Sequence, residues 1–296
     1  MKKLLAFACA LLIFPFIAHA GPAIIGVLEQ PQCAKEKKLS ARILFVKAGT
    51  VWKSLDDPTV ANKLNLISLE WTVAFDGRKL GSLKISDASP SSPPINAWYY
   101  KRDKLFEVEG GPKIPTIKND SQSFMGWCNM PEYRPLVLVS EPNFVDPEKW
   151  KSFIPAPHYR QKLYVPLKLA IGRFKAFRCV NDPEYRTVPF DFQPDDLVLY
   201  KSLRSASGKE LVSIGLDPKK INCDGPPEPE WSGNWFVVDG DKFEFLGNQM
   251  ELVDAGDYDK DGRSELLFWH SGYNRDGYIL IYNGMKQKTE YVWGYH

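Results

Sequence analysis

The chain is expected to fold mainly as β-structure, and three observations predict it. Short apolar runs joined by Asn-Gly, Asp-Gly or Ala-Gly turns recur along it, with the grammar of β-hairpins. Nine Trp, 13 Tyr and 17 Phe supply the aromatic residues that strands favour. The 23 Pro, with little 3.6-residue periodicity after the first stretch, leave room for few helices.

The hairpins come in order along the chain. From Ala41 the sequence ARILFVKAGTVWKSL turns at Ala48-Gly49 and carries Trp52 on its second arm. Residues 66–85 repeat the arrangement about Asp76-Gly77, and residues 97–109 about a polar Lys101-Arg102-Asp103 turn. Residues 234–247 turn at Asp239-Gly240-Asp241, and residues 278–293 at Asn283-Gly284. Between them, RPLVLV at 134–139 reads as a buried strand. Asp146 as N-cap with Pro147 in the first helical position makes 146–153 a candidate short helix. The Ser/Pro-rich residues 86–95 and the Pro-rich residues 181–195 and 224–230 read as breaks, none of them a domain linker.

The first residues set the expected compartment. Lys2 and Lys3 precede an apolar run from Leu4 to Ile17, and Ala18-His19-Ala20 offers a small-x-small exit. That is the pattern of a secretory signal peptide over residues 1–20, with one domain over 21–296. The run is shorter than the roughly 18–20 residues a membrane span needs, so no stable span is expected. Loss of Lys2 and Lys3 leaves 36 basic against 36 acidic residues. With no basic stripe, nucleic acid has no electrostatic case as a partner. Four cysteines remain, Cys33, Cys128, Cys179 and Cys223, an even number that suggests two disulfides in an exported, periplasmic or extracellular protein. Pairing Cys33 with Cys128 and Cys179 with Cys223 closes two loops without crossing, and two other pairings stay open.

Catalytic motifs are scarce. His158, His270 and His296 lie far apart with no zinc spacing, and no nucleophile elbow or phosphate-binding loop occurs. The adjacent acids Asp56-Asp57 and Asp195-Asp196 would face opposite sides of a strand and read as turn or solvated charges. No catalytic residue is assigned.

The one stretch with chemistry of its own is DAGDYDKDGRSELLF, from Asp254. Asp257, Asp259 and Asp261 alternate with Tyr258 and Lys260, then Gly262 follows, and Glu265 comes three residues later. Carboxylates so close repel one another, and a hard cation with oxygen ligands relieves the repulsion. The expected ligands of a structural calcium are the side chains of Asp257, Asp259, Asp261 and Glu265, with the Arg263 carbonyl as a fifth. An EF-hand would need a bidentate Glu at the twelfth position, which is Phe268 here, and flanking helices where strands are expected. The segment resembles instead the calcium loop of FG-GAP or VCBS repeats, the integrin-α-like β-propeller family, with Glu265 standing where that family carries Asp. The resemblance covers about a tenth of the chain and implies a β-propeller-like domain. The turns at Asp239 and Asn283 lie roughly 44 residues apart, a blade length of roughly 40–45, which over the mature chain gives about six blades. A β-sandwich or two small β-domains is the alternative.

A turn after the loop collects His270, Tyr273, Asn274, Arg275 and Asp276, either as a recognition surface or as a hairpin whose aromatics pack inward. These readings together suggest an exported calcium-binding module for protein or glycan partners. An exported polysaccharide hydrolase or lyase with a structural calcium, and an envelope assembly factor, are the alternatives.

Overall fold

A computed structural model describes residues 21–30, 39–61, 64–90, 104–113, 133–172, 177–179, 187–221, 233–272 and 275–294. The protein is mainly β, as its hairpin grammar predicts. The first seven strands are β1 (Ile24–Glu29), β2 (Ser40–Ala48), β3 (Val51–Ser54), β4 (Glu70–Phe75), β5 (Arg78–Pro90), β6 (Lys104–Glu109) and β7 (Leu136–Val139). They pair in the order β1-β7-β4-β5-β6-β2-β3, and β1 also pairs with β2. That last pairing closes six strands into an antiparallel barrel, with β3 left as the outer arm of the β2–β3 hairpin.

The remaining strands form two larger sheets and one small one. Strands β8 (Lys151–Ser152), β9 (Phe177–Cys179), β10 (Thr187–Pro189), β11 (Leu197–Arg204), β12 (Glu210–Leu216), β13 (Asn234–Asp239) and β14 (Lys242–Gly247) come first. Of these, β14-β13-β12-β11-β8 make a five-stranded sheet, and β9 pairs only with β10. The last four are β15 (Met250–Gly256), β16 (Glu265–Gly272), β17 (Arg275–Tyr282) and β18 (Gln287–Gly294), a simple meander.

Alternation along the strands decides how these sheets stack, since successive side chains face opposite sides. In β1 and β7, Ile24, Leu28, Leu136 and Leu138 join Trp71, Val73 and Phe75 inside the barrel. The intervening Ile25, Val27, Val137 and Val139 face outward and meet Leu267, Trp269, Tyr278 and Leu280 of the meander. On the meander's other side Leu266, Phe268, Ile279 and Ile281 pack on Leu211, Trp235 and Val237 of the five-stranded sheet. The far face of that sheet, with Val212, Ile214 and Phe236, is covered by a helix, Tyr159–Ile171. The order of layers is therefore barrel, meander, five-stranded sheet and helix. Strands β16 and β17 are buried on both faces, which is why LLFW and YILIY are unbroken apolar runs.

Several expectations need correction. The sheets of the described residues are not six propeller blades: the β1–β2 pairing closes a barrel, whereas blades stay open sheets around a central channel. The β15–β18 sheet is a four-stranded meander, as a blade is, and β11–β14 also run as a meander but with β8 added at the edge. The meander and the five-stranded sheet share a core as the two layers of a sandwich do. No helix forms at 146–153. The Asp146 carboxylate does accept bonds from the Glu148 and Trp150 amides (3.1 and 3.2 Å), but the chain then pairs as β8 with β11. The long helix lies instead at Tyr159–Ile171, where Tyr159, Leu163, Leu167 and Ile171 are buried at four-residue spacing despite Pro166. Strand β5 runs on through part of the Ser/Pro-rich break, its register with β6 shifting between Ile85 and Ala88.

Four of the five expected hairpins are present, namely β2–β3, β4–β5, β13–β14 and β17–β18. The Lys101–Asp103 turn of the other lies outside the described residues, as do residues 1–20, Cys33, Cys128, Cys223, Tyr273, Asn274 and His296. Cys179 ends β9 as a disulfide-bonded residue. No helix among the described residues is long and apolar enough to cross a membrane.

One glycine controls how the meander meets the segment that leaves the barrel. A Cβ on Gly256 would come within 2.1 Å of the Phe144 ring, which lies stacked on Tyr258 with centroids 5.5 Å apart. Gly256→Ala therefore overpacks a rigid aromatic contact. It is expected to lower unfolding free energy by about 1–3 kcal/mol in a urea titration, more than Gly81→Ala, where the Cβ finds ordinary van der Waals room and the backbone is not left-handed.

Candidate functional site

The acidic loop, residues 257–264, joins β15 to β16 at one end of the buried meander. Its shape is fixed from below by the segment that follows β7. The Asp257 amide donates to the Val145 carbonyl (3.1 Å), and the Ser264 hydroxyl donates to Asp146 Oδ1. Lys260, in the left-handed region at φ 61°, reaches Glu141 across 2.5 Å. Tyr258 is wholly buried, so it acts as the loop's apolar root while the acids on either side converge above it. The β4–β5 turn braces the same end of β15: Arg134 bonds the Val253 carbonyl (2.6 Å) and Asp76 (2.9 Å), and the Gly77 amide donates to Asp254 (3.1 Å).

The structure brings three of the four expected side-chain ligands together. Asp257, Asp259 and Glu265 each place one carboxylate oxygen within 4.8 Å of the others. Backbone amides hold them in position. Asp261 and Gly262 donate to the two oxygens of Asp257 (2.9 Å each), Asp261 also to Asp259 (3.1 Å), and Tyr258 to Glu265 Oε2 (2.8 Å). Asp261 itself stands apart. Its carboxylate takes the Arg263 guanidinium at 2.6 and 3.1 Å and the Arg263 amide at 2.9 Å. Arg263 is exposed and also donates to Asn283 (2.9 Å), so its side chain ties the loop to the β17–β18 turn.

The electrostatics are those of crowded carboxylates. Glu265 is 1% exposed, and burial, followed by repulsion from Asp259, Asp261 and Asp257, pushes its carboxyl up to about 9 against the Tyr258 amide. Burial likewise raises Asp257, opposed by the Gly262 and Asp261 amides. Asp254 is pushed up to about 7 by burial, with Arg134 opposing. Three hard oxygen donors with no sulfur or imidazole suit calcium or magnesium better than zinc. The gathering of like charges around a buried glutamate is what a bound cation would relieve.

Among the described residues, one cation of the protein forms an ion pair with the cluster. Lys47, from the end of β2, places its ammonium 2.5 Å from Asp259 Oδ2 and over the rings of Trp52 and Tyr282 (5.3 and 5.5 Å). Beside it opens a groove of about 850 Å³, lined among others by Thr50, Glu141, Asp261, Arg263 and Asn283. The acidic loop thus edges a concave surface where barrel and meander meet. Lys47, Glu141 and Asp146 come from strands and turns remote in sequence, and nothing in their neighbourhood marks them.

The expected recognition turn is divided by burial. Arg275 is exposed and pairs with Glu290 on β18 (2.8 Å), and His270 is half-buried. Asp276 is wholly buried, in register with Trp293, and Tyr278 and Trp269 pack edge to face in the core. Among its described members only Arg275 offers an open charged side chain.

Comparison with models of known families, with characterised proteins and with solved structures gives no match to this chain.

The raised carboxyl of Glu265 gives a stability prediction with a definite sign. Between the ordinary carboxylate value and about 9, the native state keeps a proton that the unfolded chain has released. Stability in chelator is therefore fully present below that window and declines as pH rises through it. Glu265→Gln is expected to flatten the decline and to be more stable than wild type at pH 8 by roughly 1–2 kcal/mol, less than the full shift because the carboxylates titrate together. Urea unfolding of both proteins from pH 5 to pH 9 checks this; parallel profiles would contradict it.

Proposed function

We propose that this chain is an exported calcium-binding protein whose ion-braced loop forms one edge of a binding module for a protein or glycan partner. The observation that carries the reading is the convergence of Asp257, Asp259 and Glu265 at the margin of the groove between barrel and meander. Export is supported by the pattern of Lys2 to Ala20. Calcium is favoured over magnesium because three protein carboxylates converge, where magnesium usually takes one or two and keeps several waters. The spacing Asp-x-Asp-x-Asp-Gly supports the resemblance to an FG-GAP or VCBS loop, and the reading needs that loop chemistry alone, with no propeller around it.

The role is structural. Bound calcium supplies positive charge that lets all three carboxylates ionise together. Asp257 and Asp259 then hold the outer part of the loop, while Glu265, the first residue of β16, anchors it to that strand. Arg263 and Asn283 extend the ordered rim along the groove. A rim of fixed charged and amide groups beside a concavity is suited to polar partners, glycan hydroxyls or peptide groups among them.

Isothermal titration of calcium into chelator-treated protein tests this, with Asp259→Ala beside it. The expected result is saturable binding near one ion per chain, lost in the variant. A rise in melting temperature should accompany it, about 2.7 kcal/mol of added stability at a hundredfold excess over Kd. No heat and no thermal shift at millimolar calcium would reduce the loop to an acidic turn.

A further inference from the structure

Lys47 is not part of the acidic loop, yet its ammonium lies on one of the loop's converging carboxylates. The side chain is largely buried, about 17% exposed, and Asp259's is about 5% exposed. Trp52 from β3 and Tyr282 from β17 flank it, so the lysine stem is guided between the two rings to that oxygen. An ammonium so placed offsets part of the repulsion among Asp257, Asp259 and Glu265. It does so from the barrel, since β2 belongs to the barrel and Asp259 to the meander.

From this we infer that Lys47 is a built-in competitor of the metal ion, which sets the calcium affinity of the loop by occupying Asp259. The inference rests on the calcium reading given above. A calcium–oxygen contact is about 2.3–2.6 Å, close to the 2.5 Å at which the ammonium now sits. Two cations on one oxygen at those distances repel strongly in a largely buried site. Asp259 Oδ1 already accepts the Asp261 amide at 3.1 Å, so calcium taken at Oδ2 displaces the ammonium, and the adjoining groove, which Lys47 itself lines, gives it room. The same lysine stabilises the loop when calcium is scarce, so exchange of one cation for the other spans the seam between barrel and meander.

The test is calcium binding by Lys47→Met, which keeps an unbranched stem between Trp52 and Tyr282 but has no charge. Lys53→Met serves as a control. It removes an equal charge from β3, where Lys53 pairs with Asp57 and touches none of the three carboxylates. Calcium affinity is expected to rise roughly tenfold or more in Lys47→Met and to stay within about twofold in Lys53→Met. In chelator Lys47→Met should melt below wild type, and saturating calcium should abolish that difference. Binding seen only in Lys47→Met would support the inference most strongly. Wild-type binding that Lys47→Met leaves unchanged or weakens would overturn it while leaving the calcium reading intact. An equal rise in Lys53→Met would reduce the effect to long-range charge and also overturn it. Absence of binding in wild type and Lys47→Met alike would overturn both.

Discussion

Burial of the central strands of the meander, β16 and β17, on both faces is the constraint from which the rest of the architecture follows. One face is covered by the barrel and the other by the five-stranded sheet. Strands covered twice carry apolar runs, so the exposed polar residues of this sheet gather at its turns and along the edge strand β18, where Gln287 and Lys288 face solvent. Among the turns, the acidic loop and the Asn283-Gly284 turn lie next to each other on one rim. Position follows from packing: the carboxylates sit beside a groove because their loop joins two strands at the rim of the buried layers.

The seam between barrel and meander carries two polar devices of different kinds. Deep within it, Arg42 pairs with Glu29 at 2.6 Å, Tyr278 donates to the second Glu29 oxygen at 2.6 Å, and Arg42 lies 4.6 Å from the Trp293 ring centroid. Such a buried pair contributes little net stability but penalises any register that separates its members, since an uncompensated buried charge is costly. At the rim, Lys47 and Asp259 join the same two bodies near solvent. The deep pair fixes how the layers meet, while the rim pair lies at the edge of the groove.

Much of this was legible in the residues. Turn pairs at Gly49, Gly77, Gly240 and Gly284 marked four hairpins because Gly tolerates the left-handed backbone each requires, with φ of 64°, 65°, 60° and 63°. Barrel closure was not legible, because it depends on β1 pairing with β2 and β7, and RPLVLV says only that it is buried. The Tyr159–Ile171 helix was hidden by Pro166, although its buried residues repeat every fourth position. Three of the loop's acids, Asp257, Asp259 and Glu265, converge as their local spacing suggests. Asp261 behaves differently because Arg263, two residues on, can fold back onto it, a contact that spacing does not foretell. Lys47, Glu141 and Asp146 act on the loop across long stretches of chain, where only tertiary packing brings them near.

The central claim is that Asp257, Asp259 and Glu265 hold one hard cation together. Anomalous diffraction from crystals of the protein soaked in a calcium-mimicking lanthanide tests it most directly. The account predicts one strong peak about 2.3–2.6 Å from an oxygen of each of the three residues, with the Lys47 ammonium withdrawn from Asp259. A loop with no peak and Lys47 still on Asp259, or a peak held by other residues, would contradict it.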